Sequence, residues 1–168
     1  MGLSVIGVVM LAQSLSLVDI VHAQADTVWY IVLQPVAFVI FAIAAVAETN
    51  RAPFDLPEAE SELVGGYHTE YGGLKFAMFF LAEYVNMIII SAFGATLFLG
   101  GFSGPLLPGW LWLAIKVAGL LFIFIWLRAT LPRLRYDRLM QFGWKVLLPL
   151  ATLNFVVTAV VLALGFAD

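Results

Sequence analysis

The sequence predicts an all-α, polytopic membrane protein with about five transmembrane helices and an acidic cytoplasmic loop between helices two and three. Three observations predict it. Of 168 residues, 63% are hydrophobic and only 11% charged, with a mean hydropathy of +1.03; a soluble chain carries roughly 25% charged residues. Uncharged runs recur along the chain, several long enough to cross a hydrocarbon core of about 30 Å. The polar residues are concentrated between the runs. Six of the eleven acids lie between Glu48 and Gly73, and five of the eight basic residues lie between Arg128 and Lys145.

Met1 to Val18 carries no charge, so a first helix is predicted over 2–22, ending near Asp19 and His22. No basic residue precedes Arg51, which argues against a signal peptide. A chain that starts inside an apolar run is expected to be a piece of a longer protein. The second helix is predicted over 28–47, with a kink at Gln34-Pro35. A polar loop, 48–73, follows. The third helix, 74–100, is interrupted by Glu83 and, one turn on, Asn86. A Gly/Pro-rich turn leads to the fourth helix, 109–130, which carries Lys116. A basic loop, 131–143, holds Pro132, expected to end the helix before it. The fifth helix is predicted over 144–166. No interval is large enough for a soluble domain, so 1–168 reads as a single membrane domain.

Orientation follows from Lys and Arg. Arg133, Arg135 and Arg138, flanked by Arg128 and Lys145, place the basic loop in the cytoplasm. The polar loop then shares that side, since acids count little in this rule. All five tryptophans fall near a predicted helix end, where an aromatic belt forms.

Within the polar loop, Asp55 suits an N-cap and Glu58 its capping-box partner, with Pro57 in the first turn. That structural reading leaves Glu60, Glu62 and Glu70 beside Glu48 unexplained. Clustered carboxylates at low dielectric titrate as a coupled group and hold some protons above the ordinary range. Arg51 is the one cation within the loop and stands three residues from Glu48, a pairing distance on a helix end. Glu83 lies roughly 13 Å into its helix at 1.5 Å per residue. An ionisable group at that depth is a functional candidate; the structural alternative is a neutral carboxylic acid that hydrogen-bonds between helices. Lys116 lies about 9 Å in from the other end and can snorkel outward. Cysteine is absent, so the chain offers no disulfide and no thiolate for an iron–sulfur cluster. His22 and His68 cannot supply paired haem ligands on facing helices. Neither a metal site nor a nucleic-acid partner is expected.

The stretches AETNRAPFDLPEAESELVGGYHTEYGG, FAMFFLAEY and WLRATLPRLRYDRLMQFGWK resemble the H subunit of proton-pumping NADH:quinone oxidoreductase, respiratory complex I, also known as the NADH dehydrogenase subunit 1 family. The resemblance covers essentially the whole chain but only the C-terminal part of the family, whose eight membrane helices would end in these five. It implies a membrane subunit of a translocase, with no catalytic redox centre of its own. Glu48, Arg51, Asp55, Glu58, Glu60, Glu62 and Glu70, with Phe80, would belong to the quinone chamber and its proton input. Glu83, with Lys116, would belong to an intramembrane proton path. Quinone would be the substrate, and no FMN, haem or iron–sulfur cluster would be held by this chain. The implied partners are the lipid bilayer, the peripheral-arm subunits at the quinone site and neighbouring membrane subunits. The implied location is the bacterial inner membrane rather than the mitochondrial one. The rival readings are a subunit of a related hydrogenase-type ion-pumping complex, a stand-alone carboxylate-lined proton or cation transporter, and an inert fragment.

The topology has a direct test, helped by the cysteine-free sequence. Single cysteines at Ser61 and Ser103 are expected to react with an impermeant reagent from opposite sides of the membrane, Ser61 from the cytoplasm. Labelling of both from one side overturns the five-helix orientation.

Overall fold

The computed structural model describes residues 1–49, 54, 73–105, 107–132 and 136–165. Helices are α1 (Gly2–Ala12), α2 (Leu17–Asp26), α3 (Tyr30–Leu33), α4 (Pro35–Glu48), α5 (Leu74–Phe98), α6 (Gly109–Thr130), α7 (Tyr136–Phe142) and α8 (Leu148–Ala163). Among the described residues there is no strand. The chain is an all-α polytopic membrane protein. By length and hydropathy three segments can cross a bilayer: Ala77–Phe98, Gly109–Thr130 and Asp137–Ala163.

The first expected helix, 2–22, is instead two helices bent by 60°. Gln13 takes a left-handed conformation (φ 51°) and ends α1. Ser16 then caps α2, accepting from the Asp19 N–H at 3.5 Å, while Ser14 Oγ donates to Asp19 Oδ2 at 2.8 Å. A serine followed three residues later by an acid is a helix-start pattern, and it outweighs the apolar run around it. Together the pair passes as one broken span.

The second expected helix, 28–47, also divides. Pro35 occupies the first position of α4, where its missing N–H costs nothing. Gln34 before it is forced out of the helical region (φ −130°, ψ 60°). At 14 residues, α4 rises about 21 Å, short of the hydrocarbon thickness.

A break inside a bilayer leaves backbone polar groups that lipid cannot satisfy. Two buried glutamine amides bind beside irregular backbone, Gln34 at the α3–α4 break and Gln24 at the turn from α2 to α3. Gln34 Nε2 donates to Gly7 O on α1 at 3.3 Å and to Thr158 Oγ1 on α8 at 3.0 Å. Gln24 Nε2 donates to Thr96 O and Leu97 O near the end of α5, and its Oε1 accepts from the Tyr30 N–H that opens α3.

α5 ends in a turn with left-handed Gly100 (φ 71°) and Gly101 (φ 47°), the latter donating to Ala95 O at 3.0 Å. α6 returns antiparallel and stops at Thr130, with Leu131 extended before Pro132. The expected basic loop 131–143 is shorter than that. Residues 136–142 are helical and run through a π-helical turn (Gly143–Leu147) into α8. Pro149 explains the turn: it has no N–H for the Lys145 carbonyl, so Leu148 reaches back five residues to Gly143 O.

The core gathers where α1, α2, α4 and α5 meet, around Val8, Ile20, Phe41, Ile90 and Phe98. Phe41 and Phe38 both contact the Phe98 ring, at 5.3 and 5.4 Å between centroids. Gly94 permits this approach, since a Cβ there would stand 2.7 Å from Phe41 Cε1. Elsewhere the surface is apolar, with Trp110 71% and Leu153 63% exposed, as suits helices that face lipid or other membrane helices.

Gly94→Ala is expected to destabilise the fold by about 1–3 kcal/mol, because the buried Phe41 ring has nowhere to go. Gly119→Ala, where a Cβ meets open space, is the control and should be neutral. Denaturation of the detergent-solubilised assembly measures both; equal stability of the two variants would remove the packing argument.

Candidate functional site

Four of the ten sequence-predicted site residues fall within the described structure: Glu48, Phe80, Glu83 and Lys116. Arg51, Asp55, Glu58, Glu60, Glu62 and Glu70 lie outside the described residues.

Glu48 is the last residue of α4 and is exposed. The next residue fixes the helix end beneath it. Thr49 is buried, and its hydroxyl donates to the carbonyls of Ala45 and Val46, both at 3.1 Å. The carboxylate therefore projects from an anchored helix terminus, where the last carbonyls carry partial negative charge.

Glu83 and Phe80 share one face of α5, a turn apart. Both are half-buried, and one carboxyl oxygen of Glu83 is fully shielded from solvent. The helix around them divides into two halves. Toward Phe98 it is embedded in the core, with Ala95, Leu97 and Phe98 at 0–1% exposure. Toward Leu74 several of its side chains are exposed, Met78 by 62%, Leu81 by 64% and Ile89 by 59%, and Asn86 is exposed too. Glu83 sits in this half, on the end of α5 nearer the acidic interval. Ionisable and polar groups at membrane depth are costly in lipid, so this half of α5 is suited to a surface of protein or enclosed water.

α4 packs on α5, and with α6 they enclose an apolar crevice of about 80 Å³. Phe38, Phe41, Ile90 and Phe124 line it, together with Ser91, whose buried hydroxyl has no hydrogen-bond partner among the described residues. Ser91 was not singled out in the sequence. Its signal is that of any small polar side chain inside an apolar run, and the same signal marks Gln24 and Gln34.

Lys116 belongs to the opposite end. It lies seven residues after Gly109 in α6 and is only 8% exposed. Its Nζ donates to Ser103 O at 2.8 Å and to Gly101 O at 3.0 Å. The ring of Trp29 lies 4.7 Å away and that of Trp112 5.5 Å. The side chain does reach toward its helix end, as snorkelling requires, but it closes on backbone carbonyls and indole faces instead of water. The cage was partly legible: Trp112 precedes Lys116 by four residues, which places them on one face. Trp29, from a distant turn, was not.

Set against known proteins, residues 1–159 match the family model described as NADH dehydrogenase. The chain belongs to the NADH dehydrogenase family. It is 58% identical over 170 residues to the NADH-quinone oxidoreductase H subunit of Thermomicrobium roseum, covering 96% of this chain and 50% of that protein. It is 57% identical over 162 residues to the second NADH-quinone oxidoreductase H subunit of Geobacter sulfurreducens, covering 96% and 49%. The second such H subunit of Syntrophobacter fumaroxidans is 59% identical over 158 residues, covering 94% and 47%. The chain thus spans about half the length of the curated relatives it matches. The resemblance read from the polar loop therefore holds at the level of the family.

The Lys116 clasp yields a measurable expectation. Lys116→Met leaves two carbonyls without their charged donor, an interaction worth about 1.5–3 kcal/mol. Hydrogen exchange at the Gly101 and Ser103 amides should rise about tenfold or more, by that same magnitude. Unchanged exchange there would mean that the turn holds without the ammonium.

Proposed function

We propose that this chain is membrane-embedded machinery of a proton-pumping NADH:quinone oxidoreductase, forming part of the quinone chamber and passing protons away from it. Family membership supports the reading, and the relatives cited are each named for quinone. Those names also favour it over the hydrogenase-type and stand-alone transporter alternatives. The single observation that carries the site is Glu83, a half-buried ionisable side chain at membrane depth in α5.

In this reading Arg51 pairs with Glu48 and holds the neighbouring carboxylates ionised when the chamber is at rest. Asp55, Glu58, Glu60, Glu62 and Glu70 share and exchange protons as quinone is reduced, because charges packed together cannot all stay ionised. Phe80 offers an aromatic face to the apolar quinone tail. Glu83, one turn further along α5, receives a proton from that group and hands it onward. The chain binds and orients; hydride and electron transfer belong to peripheral-arm subunits that hold the redox groups. Lys116 would join the path only by releasing the carbonyls of Gly101 and Ser103. The quinone is reduced against the cytoplasmic side of the membrane, in the bacterial inner membrane, with neighbouring membrane subunits covering α5.

Glu83→Gln separates relay from packing, since the amide keeps size and hydrogen bonding but cannot ionise. The variant is expected to assemble and to pass electrons from NADH to an artificial acceptor at the normal rate. NADH-to-quinone turnover with proton pumping should fall by about 10²-fold, within the range for losing a positioned acid–base group. If both rates stay near wild type, Glu83 belongs with the packing residues.

A further inference from the structure

The buried Lys116 ammonium lies in a cage whose walls come from three separate parts of the chain. The carbonyls of Gly101 and Ser103, in the turn after α5, accept from Nζ at 3.0 and 2.8 Å. The Trp29 ring, from the turn after α2, has its centroid 4.7 Å from Nζ. The Trp112 ring, from the first turn of α6, has its centroid at 5.5 Å. Gly104 makes room for this wall, since a Cβ there would overlap the Trp112 indole. Lys116 supplies the occupant of the cage and none of its walls. Trp29 and Ser103 also line an open cleft of about 580 Å³, so two of the walls border a space that a small solute can enter.

The walls define what the site selects. An indole face attracts a cation within about 6 Å of its centroid, whether or not that cation carries hydrogens. The two carbonyls ask for more, because each accepts from an N–H. A quaternary ammonium has no N–H to give. A neutral alcohol has a donor but no charge for the ring faces. A hard divalent metal ion takes about six or more oxygen ligands, and two carbonyls fall short of that. The species that meets every wall is a primary ammonium ion on a short apolar chain.

We propose that the Gly101 and Ser103 carbonyls and the two indole faces form a binding site for a primary alkylammonium ion, which Lys116 fills as a tethered occupant. The tether raises the local concentration of the ammonium, to roughly the millimolar range even for a flexible link, but adds no wall. The turns after α2 and α5 are then joined by the bound charge itself, and any ion of the same chemistry can replace it. This inference is independent of the quinone reading.

The test removes the occupant and supplies it again. Lys116→Ala takes away the ammonium and most of its methylene stem, a fragment the size of 1-propylammonium. The assembled membrane complex carrying this variant is incubated in detergent with 1-propylammonium, 1-propanol or tetramethylammonium at equal concentration and ionic strength. Hydrogen exchange is read at the Gly101 and Ser103 amides, which donate to Ala95 O and Gly100 O within the turn. In the variant alone exchange should rise about tenfold or more, as for loss of a charged hydrogen bond. 1-Propylammonium should bring it back close to the wild-type rate, and the other two solutes should not. Lys116→Met, whose side chain still fills the space, should gain nothing from 1-propylammonium. If Lys116→Ala fails to assemble, recovery of the complex becomes the readout, with each solute present during growth and solubilisation. Failure of 1-propylammonium to restore exchange or assembly overturns the proposal. So does equal restoration by propanol or tetramethylammonium, rescue of Lys116→Met, or exchange that stays unchanged in Lys116→Ala.

Discussion

The fold depends on how it repairs its own helix breaks. In lipid every backbone N–H and C=O must find a partner within the protein. This chain breaks its helices at Gln13–Ser16, at the turn from α2 to α3 and again at Gln34-Pro35. At the last two the partners come from buried glutamines. Gln24 takes two carbonyls near the end of α5 and gives its oxygen to the Tyr30 N–H. Gln34 ties its own break to α1 and α8 together. An amide side chain can both donate and accept, so one residue can join helices far apart in sequence. Without these two amides, three neighbouring helices would lose their shared reference point, and α4 would have no fixed direction.

That direction matters because α4 ends at Glu48 and leads into the acidic interval. The anchoring is uneven along the molecule. The end bearing the glycine turn is bound by Gln24, by the Lys116 clasp and by the aromatic core around Phe98. The half of α5 that carries Glu83 lies toward the other end and exposes more of its side chains.

How far the sequence reached follows from what each feature depends on. α6 is a single uninterrupted apolar run, and its limits are set by Pro108 and Pro132, both local signals. Glu83 and Lys116 stood out because charge inside an apolar run is costly wherever the helix goes. The bend at Gln13–Ser16 was written locally too, in Ser16 and Asp19, but an eighteen-residue uncharged run masked a cap that needs only three residues. The π-turn before Pro149 is likewise a local effect, since a missing N–H disturbs the turn preceding it. By contrast the Lys116 cage joins α6 to residues 29, 101 and 103, and no periodicity in one segment reports that. Which side chains of α5 stay exposed depends on what packs there, which no pattern within Leu74–Phe98 encodes.

The two charged positions inside the helices therefore resolve differently, although the sequence presents them alike. Lys116 is long and flexible, begins one or two turns from a helix end, and can reach carbonyls that accept but never compete for a proton at ordinary pH. Such a partner fixes a lysine in place. Glu83 is short and sits deeper, so it cannot leave the apolar zone by stretching. Its options are to be neutral, or to be charged beside a donor. The free-energy difference between those options depends on the groups around it, and so it can be changed when a neighbour moves. Lys116 is fixed by carbonyls that exchange no proton, whereas a carboxyl group can exchange one. That asymmetry, more than the presence of charge, is why the carboxylate and not the amine is the natural carrier of a coupled proton here.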